Sequence, residues 1–194
     1  GNTGGNTGGN TGGASSNFSS GYVAQSATIP NISSIGFDNV NQGNSGDNEI
    51  DGSDKSDFIQ LLGGQDESDG NDGNDYIHGG SGNDELDGGK DDDTVIGGHG
   101  DDTVEGGTGD DMLYGGDGDD TINGQVGNDT VVGGSGRDTF VVWFNEGVID
   151  SHEIIVDFEL GASGDVLQID EERQFLEIVH FDAGTLLGTG YVGG

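Results

Sequence analysis

Apolar side chains are distributed along this chain in three unlike ways. Residues 1–13, GNTGGNTGGNTGG, contain none and repeat every four residues, the composition of a flexible low-complexity linker. Residues 14–42 carry scattered ones (Phe18, Tyr22, Val23, Ile29, Ile32, Ile35, Phe37 and Val40) and the single proline, Pro30. That pattern predicts an extended, irregular flanking segment that packs against something else. From Gly43 to Val141 the spacing becomes regular: Ile50, Ile59, Ile77, Leu86, Val95, Val104, Leu113, Ile122, Val131 and Phe140 recur every ninth residue, with Ser68 the single interruption.

Eleven consecutive nine-residue units fill 43–141 without an insertion. Each predicts a three-residue strand between glycine-rich turns, with the eighth residue facing inward and the seventh and ninth outward. Such a strand cannot bury its apolar residue alone, but stacked on its neighbours it can. Two strands and two turns then form one coil, so alternate units lie on opposite parallel sheets around a narrow aliphatic core. The expected fold class is all-β, a parallel β-roll.

After Val141 the pattern changes again. The stretches 140–144 (FVVWF), 152–158 (HEIIVDF), 165–169 (DVLQI) and 175–181 (FLEIVHF) are rich in β-branched and aromatic residues and are divided by turns such as GASG at 161–164. They predict a β capping segment over 142–194.

Charge turns this outline into a chemical problem. The chain has 38 acidic residues against 4 Lys+Arg, a net charge of −34, and only 28% hydrophobic residues. Composition of this kind alone describes a solvated, disordered chain, but disorder requires no nine-residue period. Nucleic acid is excluded as a partner, and so is an anionic membrane surface, because both demand lysine and arginine. No apolar run is long enough to span a membrane, so no membrane insertion is expected. Without cysteine there is neither a disulfide nor a thiolate metal site, and the four histidines show no ligand spacing. No signal-peptide pattern or initiator methionine opens the sequence, which suggests the C-terminal part of something longer.

The acids are in register too. The sixth position of each unit holds Asn48, Asp57, Asp66, Asp75, Asp84, Asp93, Asp102, Asp111, Asp120, Asp129 or Asp138. Stacked coils bring the sixth positions of units i and i+2 to about 4.8 Å, the spacing of neighbouring strands. Columns of unpaired carboxylates at that spacing repel each other. A hard divalent cation between them converts repulsion into coordination, with backbone carbonyls completing the shell. Calcium accepts such irregular oxygen geometry, whereas magnesium demands a tight octahedron. Several calcium ions are the expected cofactor. The fifth-position acids Asp92, Asp101, Asp110 and Asp119 are expected to face solvent.

These units, among them GGHGDDTVE, GGTGDDMLY and GGDGDDTIN over 97–123, resemble the G-G-x-G-x-D-x-U-x nonapeptide of the RTX (repeats-in-toxin) calcium-binding proteins. The stretch DFELGASGDVLQI also looks like the segment that follows such repeats in type I-secreted bacterial proteins. The resemblance implies a right-handed parallel β-roll that stays unfolded in calcium-poor cytoplasm, passes through type I secretion machinery and folds outside the cell. The location it implies is secreted or cell-surface. It also implies ions between Asp57, Asp75, Asp93, Asp111 and Asp129 along one edge, and between Asp66, Asp84, Asp102, Asp120 and Asp138 along the other. Asn48 with Asp66 is a weaker addition. Asp157 and Asp165 have two readings, a further ion site or plain solvation. Departures from the repeat are Asn48, Lys55, Asp91 and the degenerate unit LLGGQDESD at 61–69.

The outward positions differ between the sheets. Odd units present mainly Glu49, Asp51, Glu67, Asp69, Glu85 and Asp87, a solvated face. Even units present Phe58, Tyr76, Ile96, Met112, Tyr114 and Val132. That ladder is either covered by the chain's own flanks or docks another copy of the protein. No serine–histidine–acid, HExxH or P-loop pattern is present, so no enzyme is expected. Two functions are compatible with the sequence. One is a calcium-binding module supporting secretion and folding of a larger secreted or surface protein, and the other is a self-assembling extracellular subunit or adhesin.

Overall fold

The computed structural model describes residues 36–144, 153–161 and 164–171. The expected strand at 175–181, the linker 1–13 and most of the flanking segment 14–42 lie outside the described residues. Among the described residues there are thirteen strands: β1 (Asn39–Gln42), β2 (Asp57–Gln60), β3 (Glu67–Asp69), β4 (Tyr76–Ser81), β5 (Glu85–Lys90), β6 (Thr94–His99), β7 (Thr103–Thr108), β8 (Met112–Asp117), β9 (Thr121–Val126), β10 (Thr130–Ser135), β11 (Thr139–Phe144), β12 (Ile154–Ile155) and β13 (Val166–Glu171).

They form two parallel sheets, as the alternation of units requires. The order is β1-β2-β4-β6-β8-β10-β12 in one and β13-β11-β9-β7-β5-β3 in the other. Pairing is in register by unit: Ile77 lies beside Val95, Val95 beside Leu113, and Leu113 beside Val131. The chain is thus a parallel β-solenoid, a β-roll, in which each coil advances by two units.

The central strands are six residues long, not three. In β4 to β10 the ladder covers positions seven to nine, skips the first residue of the next unit and resumes at its second and third, as at Gly80 beside Gly98. The true turns are therefore the three residues at positions four to six. Two glycine positions make this path possible. Gly98 and Gly100, at positions two and four, have φ of +123° and +125°, in the left-handed region where a side chain costs about 1–2 kcal/mol.

The core is one residue wide. Ile59, Leu61, Ile77, Leu86, Val95, Val104, Leu113, Ile122, Val131 and Phe140 form a single buried cluster, one column from each sheet. Burying one such side chain is worth about 1.5–3 kcal/mol. The degenerate unit keeps the column intact by a different route. Ser68 is buried and its Oγ donates to the Ile50 carbonyl at 2.7 Å, while Leu61 enters the interior where most later units carry glycine.

The solenoid also extends beyond the regular units at both ends. β1 pairs with β2 in the same register, placing Asn39 beside Asp57 and Asn41 beside Ile59. This coil left no trace in the hydrophobic pattern because its inward residue is an asparagine. At the other end β12 adds to β10 and β13 adds to β11. Of the predicted strand at 152–158, only Ile154–Ile155 forms ladder.

Candidate metal centre

The inward-facing set is larger than the single aliphatic residue expected per unit. Position eight points inward, and so do the sixth-position aspartate before it and the first-position residue after it. Asp57, Asp66, Asp75, Asp84, Asp93, Asp102, Asp111, Asp120, Asp129 and Asp138 are all buried, none more than 3% exposed. The same two-residue alternation that buries the aliphatic side chain carries its neighbour two positions earlier inside.

Each carboxylate is held by the coil before it. The amide of Asp75 donates to Oδ1 of Asp93 at 2.7 Å, that of Asp93 to Asp111 at 2.8 Å and that of Asp111 to Asp129 at 2.9 Å. On the other edge Asp84 donates to Asp102 at 2.9 Å, Asp102 to Asp120 at 2.8 Å and Asp120 to Asp138 at 3.0 Å. Oδ1 is thereby satisfied and the side chain fixed. Oδ2 of Asp66, Asp75, Asp84, Asp93, Asp102, Asp111, Asp120 and Asp129 is buried without a hydrogen-bond partner. A buried, unpartnered carboxylate oxygen is costly unless something neutralises it.

The environment shows the strain electrostatically. Burial, reinforced by the neighbouring carboxylates of the same column, pushes Asp93 up to about 8 and Asp111 and Asp102 to about 7. Asp75 rises to about 7, and Asp66 and Asp120 to about 6, again chiefly through burial. Asp84, Asp129 and Asp138 are raised for the same reason. In every case the amide of the preceding coil opposes the rise without cancelling it.

What stands around each orphan oxygen is also oxygen. A methyl group built on Gly88 would lie 2.6 Å from the carbonyl oxygen of Gly106 and 2.7 Å from Oδ2 of Asp93. At Gly106 the corresponding atoms are Oδ2 of Asp111 at 2.5 Å and the carbonyl of Gly124 at 2.9 Å. The first-position glycine is thus required by space: a side chain there would fill a cradle shared by a carboxylate and a backbone carbonyl. Among the described residues no group of three or more histidine or acidic side chains is placed to hold a metal ion. The cradles rely on carboxylates and main-chain carbonyls instead, an all-oxygen donor set that fits a hard divalent cation such as calcium.

The first coils are less complete. Oδ1 of Asn48 accepts from the amide of Asn44 at 2.8 Å, so the residue offers a neutral oxygen already in use. Asp57 takes two bonds at Oδ2 from Ser53, leaving Oδ1 as its orphan. Fifth-position acids lie at the surface as expected and form a ladder of opposite sense. The amide of Asp110 donates back to Asp92, and that of Asp119 to Asp101.

Both carboxylate columns continue into the C-terminal segment, which the nine-residue spacing did not reveal. Asp165 stands next after Asp138 and accepts its amide at 3.0 Å, while its other oxygen accepts from Glu159. Asp157 accepts the amides of Gly133 and Gly134, both at 2.9 Å. Both residues are half-buried. Glu153 stands next after Asp129, since Thr130 pairs with Ile154. Burial and the facing Asp129 push Glu153 well above the usual carboxylate range. Apolar residues immediately after Glu153 signalled only a strand.

The outward faces are as unlike as the sequence implied. Phe58 and Tyr76 stack with ring centroids 5.0 Å apart, and Phe37 from the N-terminal flank packs edge-on against both. Ile96, Tyr114 and Val132 are half-buried, whereas Met112 is exposed on the same face. The odd face is less uniformly solvated than expected: Asn123 is buried, and Asp87 is pushed up to about 6 by burial and by Asp69 and Glu105 beside it.

A family model of the RTX calcium-binding nonapeptide repeat matches the chain in four copies, over residues 42–77, 69–104, 78–113 and 105–140. No curated protein matches the chain. The matched copies cover more than half of the sequence and lie within the solenoid. The chain belongs to the family of RTX calcium-binding nonapeptide-repeat proteins.

Proposed function

We propose that this RTX chain is a non-catalytic, calcium-dependent folding module of a larger secreted or surface protein. The single observation that carries the reading is the row of buried Oδ2 atoms without partners, from Asp66 to Asp129. Ligand binding that exists only in the folded state stabilises that state by mass action. Here the ions neutralise charges that otherwise oppose folding, so calcium binding becomes folding free energy.

The ion ligands in this reading are the sixth-position aspartates of successive coils with first-position carbonyls between them. Extracellular calcium modules bind with Kd of about 10⁻⁴ to 10⁻³ M. A module in that range stays unfolded where calcium is scarce and folds where it is plentiful. This behaviour suits passage through type I secretion machinery followed by folding outside the cell.

A second reading rests on a different observation. Among the described residues Val40, Met112 and Ile154 are exposed on one sheet and Val156 just beyond it, and Phe37 packs on its Phe58–Tyr76 end. Exposed apolar patches on this scale mark interaction surfaces, which supports self-association of the folded roll through the even face.

One experiment addresses both readings. Calcium is titrated into chelator-treated protein while far-UV circular dichroism and sedimentation are followed. A steep coil-to-β transition with a monomeric end state supports the module, and growth in mass supports assembly. The absence of a transition, or an equal response to magnesium, defeats the calcium reading.

A further inference from the structure

Both carboxylate columns must end somewhere, and they end differently. On the odd edge Asp165 spends both oxygens on amides, those of Asp138 and Glu159. On the even edge the last aspartate, Asp129, is fully buried, and its Oδ2 has no hydrogen-bond partner. That oxygen would meet a methyl group built on Gly124, in the place where earlier cradles hold an aspartate Oδ2 and the carbonyl of the next coil. Here no regular coil follows. Both carboxylate oxygens of Glu153 occupy the space instead, 2.7 Å from a methyl group built on Gly124.

From this arrangement we infer that Glu153 and Asp129 form a terminal divalent-cation site, which latches the C-terminal segment onto the roll. The inference rests on the calcium reading of the repeats but concerns a residue outside all four matched copies. Glu153 places a carboxylate where the earlier cradles have a backbone carbonyl. Two carboxylates facing each other in a buried cradle, with no ion pair to Lys or Arg among the described residues, have the donor chemistry of a calcium site. As two bare charges they would repel, and without a cation it is a proton on Glu153, hydrogen-bonded to Asp129, that holds them together.

The latch has a mechanical consequence. Immediately after Glu153, the amide of Ile154 donates to the Asp129 carbonyl and that of Val156 to the Val131 carbonyl. Those two bonds hold β12 on the even sheet. An ion shared by Glu153 and Asp129 fixes the residue that begins this docking, so the terminal strand joins the roll only when the site is filled.

The test uses the full chain and its Glu153→Gln variant, which keeps the shape and removes the charge. Calcium stoichiometry is measured by equilibrium dialysis, and hydrogen exchange is followed at the amides of Ile154, Val156 and Leu113. The expected result is that both proteins fold with calcium and protect Leu113. The variant then binds about one ion fewer per chain and exchanges Ile154 and Val156 at least about tenfold faster, the weakening expected when a charged ligand is lost. Equal stoichiometry with equal protection overturns the site while leaving the calcium reading of the roll intact. Faster exchange without loss of an ion also overturns it, because Glu153 then acts as packing alone. Failure of the unmodified protein to bind calcium removes both readings together.

Discussion

The amide of Asp93 donates to Oδ1 of Asp111 in the next coil at 2.8 Å, while Oδ2 of the same carboxylate is buried and unpartnered. One aspartate therefore performs two tasks, with one oxygen welding adjacent coils and the other held ready for a cation.

Asp111→Asn keeps an oxygen for the Asp93 amide but removes the charge and turns a donor toward the cradle. The calcium concentration at the folding midpoint is expected to rise about tenfold, equivalent to about 1.4 kcal/mol. Calcium titration followed by circular dichroism reads this directly. An unchanged midpoint would mean that Oδ2 of Asp111 takes no part in binding.

Acid should partly replace calcium. Asp93, Asp102, Asp111 and Asp75 hold their protons in the folded state up to about pH 7–8, against 3.8 for an ordinary aspartate. The cation-free fold thus binds more protons than the unfolded chain between these limits, and its stability falls as pH rises through the window. Chelator-treated protein is expected to gain β signal when acidified from about pH 8 toward about pH 4. A loss of β signal over the same range would contradict the burial of these carboxylates.

Gly88→Ala places a methyl group against Asp93 Oδ2 and the Gly106 carbonyl, although its backbone is not in the left-handed region. The fold path is allowed and the cradle is not. The calcium midpoint should move upward several-fold, of the order of 1 kcal/mol for a crowded site. Gly46→Ala is the control, since its methyl group meets only Asn44 Oδ1 at 3.4 Å. Equal shifts for the two variants would remove the steric argument.

Leu62 replaces the usual second-position glycine with φ at +80°, and its side chain is 42% exposed. It therefore carries backbone strain with little burial in return. Leu62→Gly should stabilise the calcium-loaded roll by about 1 kcal/mol, visible as a higher midpoint in urea denaturation. A destabilised variant would show that Leu62 contributes packing beyond its exposed position.

Much of this architecture can be read along the chain because its causes are local. A nine-residue period with one aliphatic residue per unit admits few folds, and it places Ile77, Val95 and Leu113 in one column and Leu86, Val104 and Ile122 in the facing one. The aspartate two residues before each aliphatic residue shares its side of the strand by alternation alone, yet its burial depends on the strand continuing through the paired glycines. That continuation came from pairing such as Gly80 beside Gly98, which requires the stacked neighbour.

Sequence by itself determined the repeat, the alternation of sheets, the columns of acids and the oxygen chemistry they offer to calcium. Tertiary structure alone decided which oxygen of each aspartate is spent on an amide, how Asn39 and Asn41 extend the even sheet, and where the columns close. Asp165 and Glu153 lie beyond the last regular unit, and the pairing of β13 with β11 and of β12 with β10 sets them beside Asp138 and Asp129. Periodicity specifies a partner only while the spacing holds. Past that point only three-dimensional packing brings two carboxylates into one cradle.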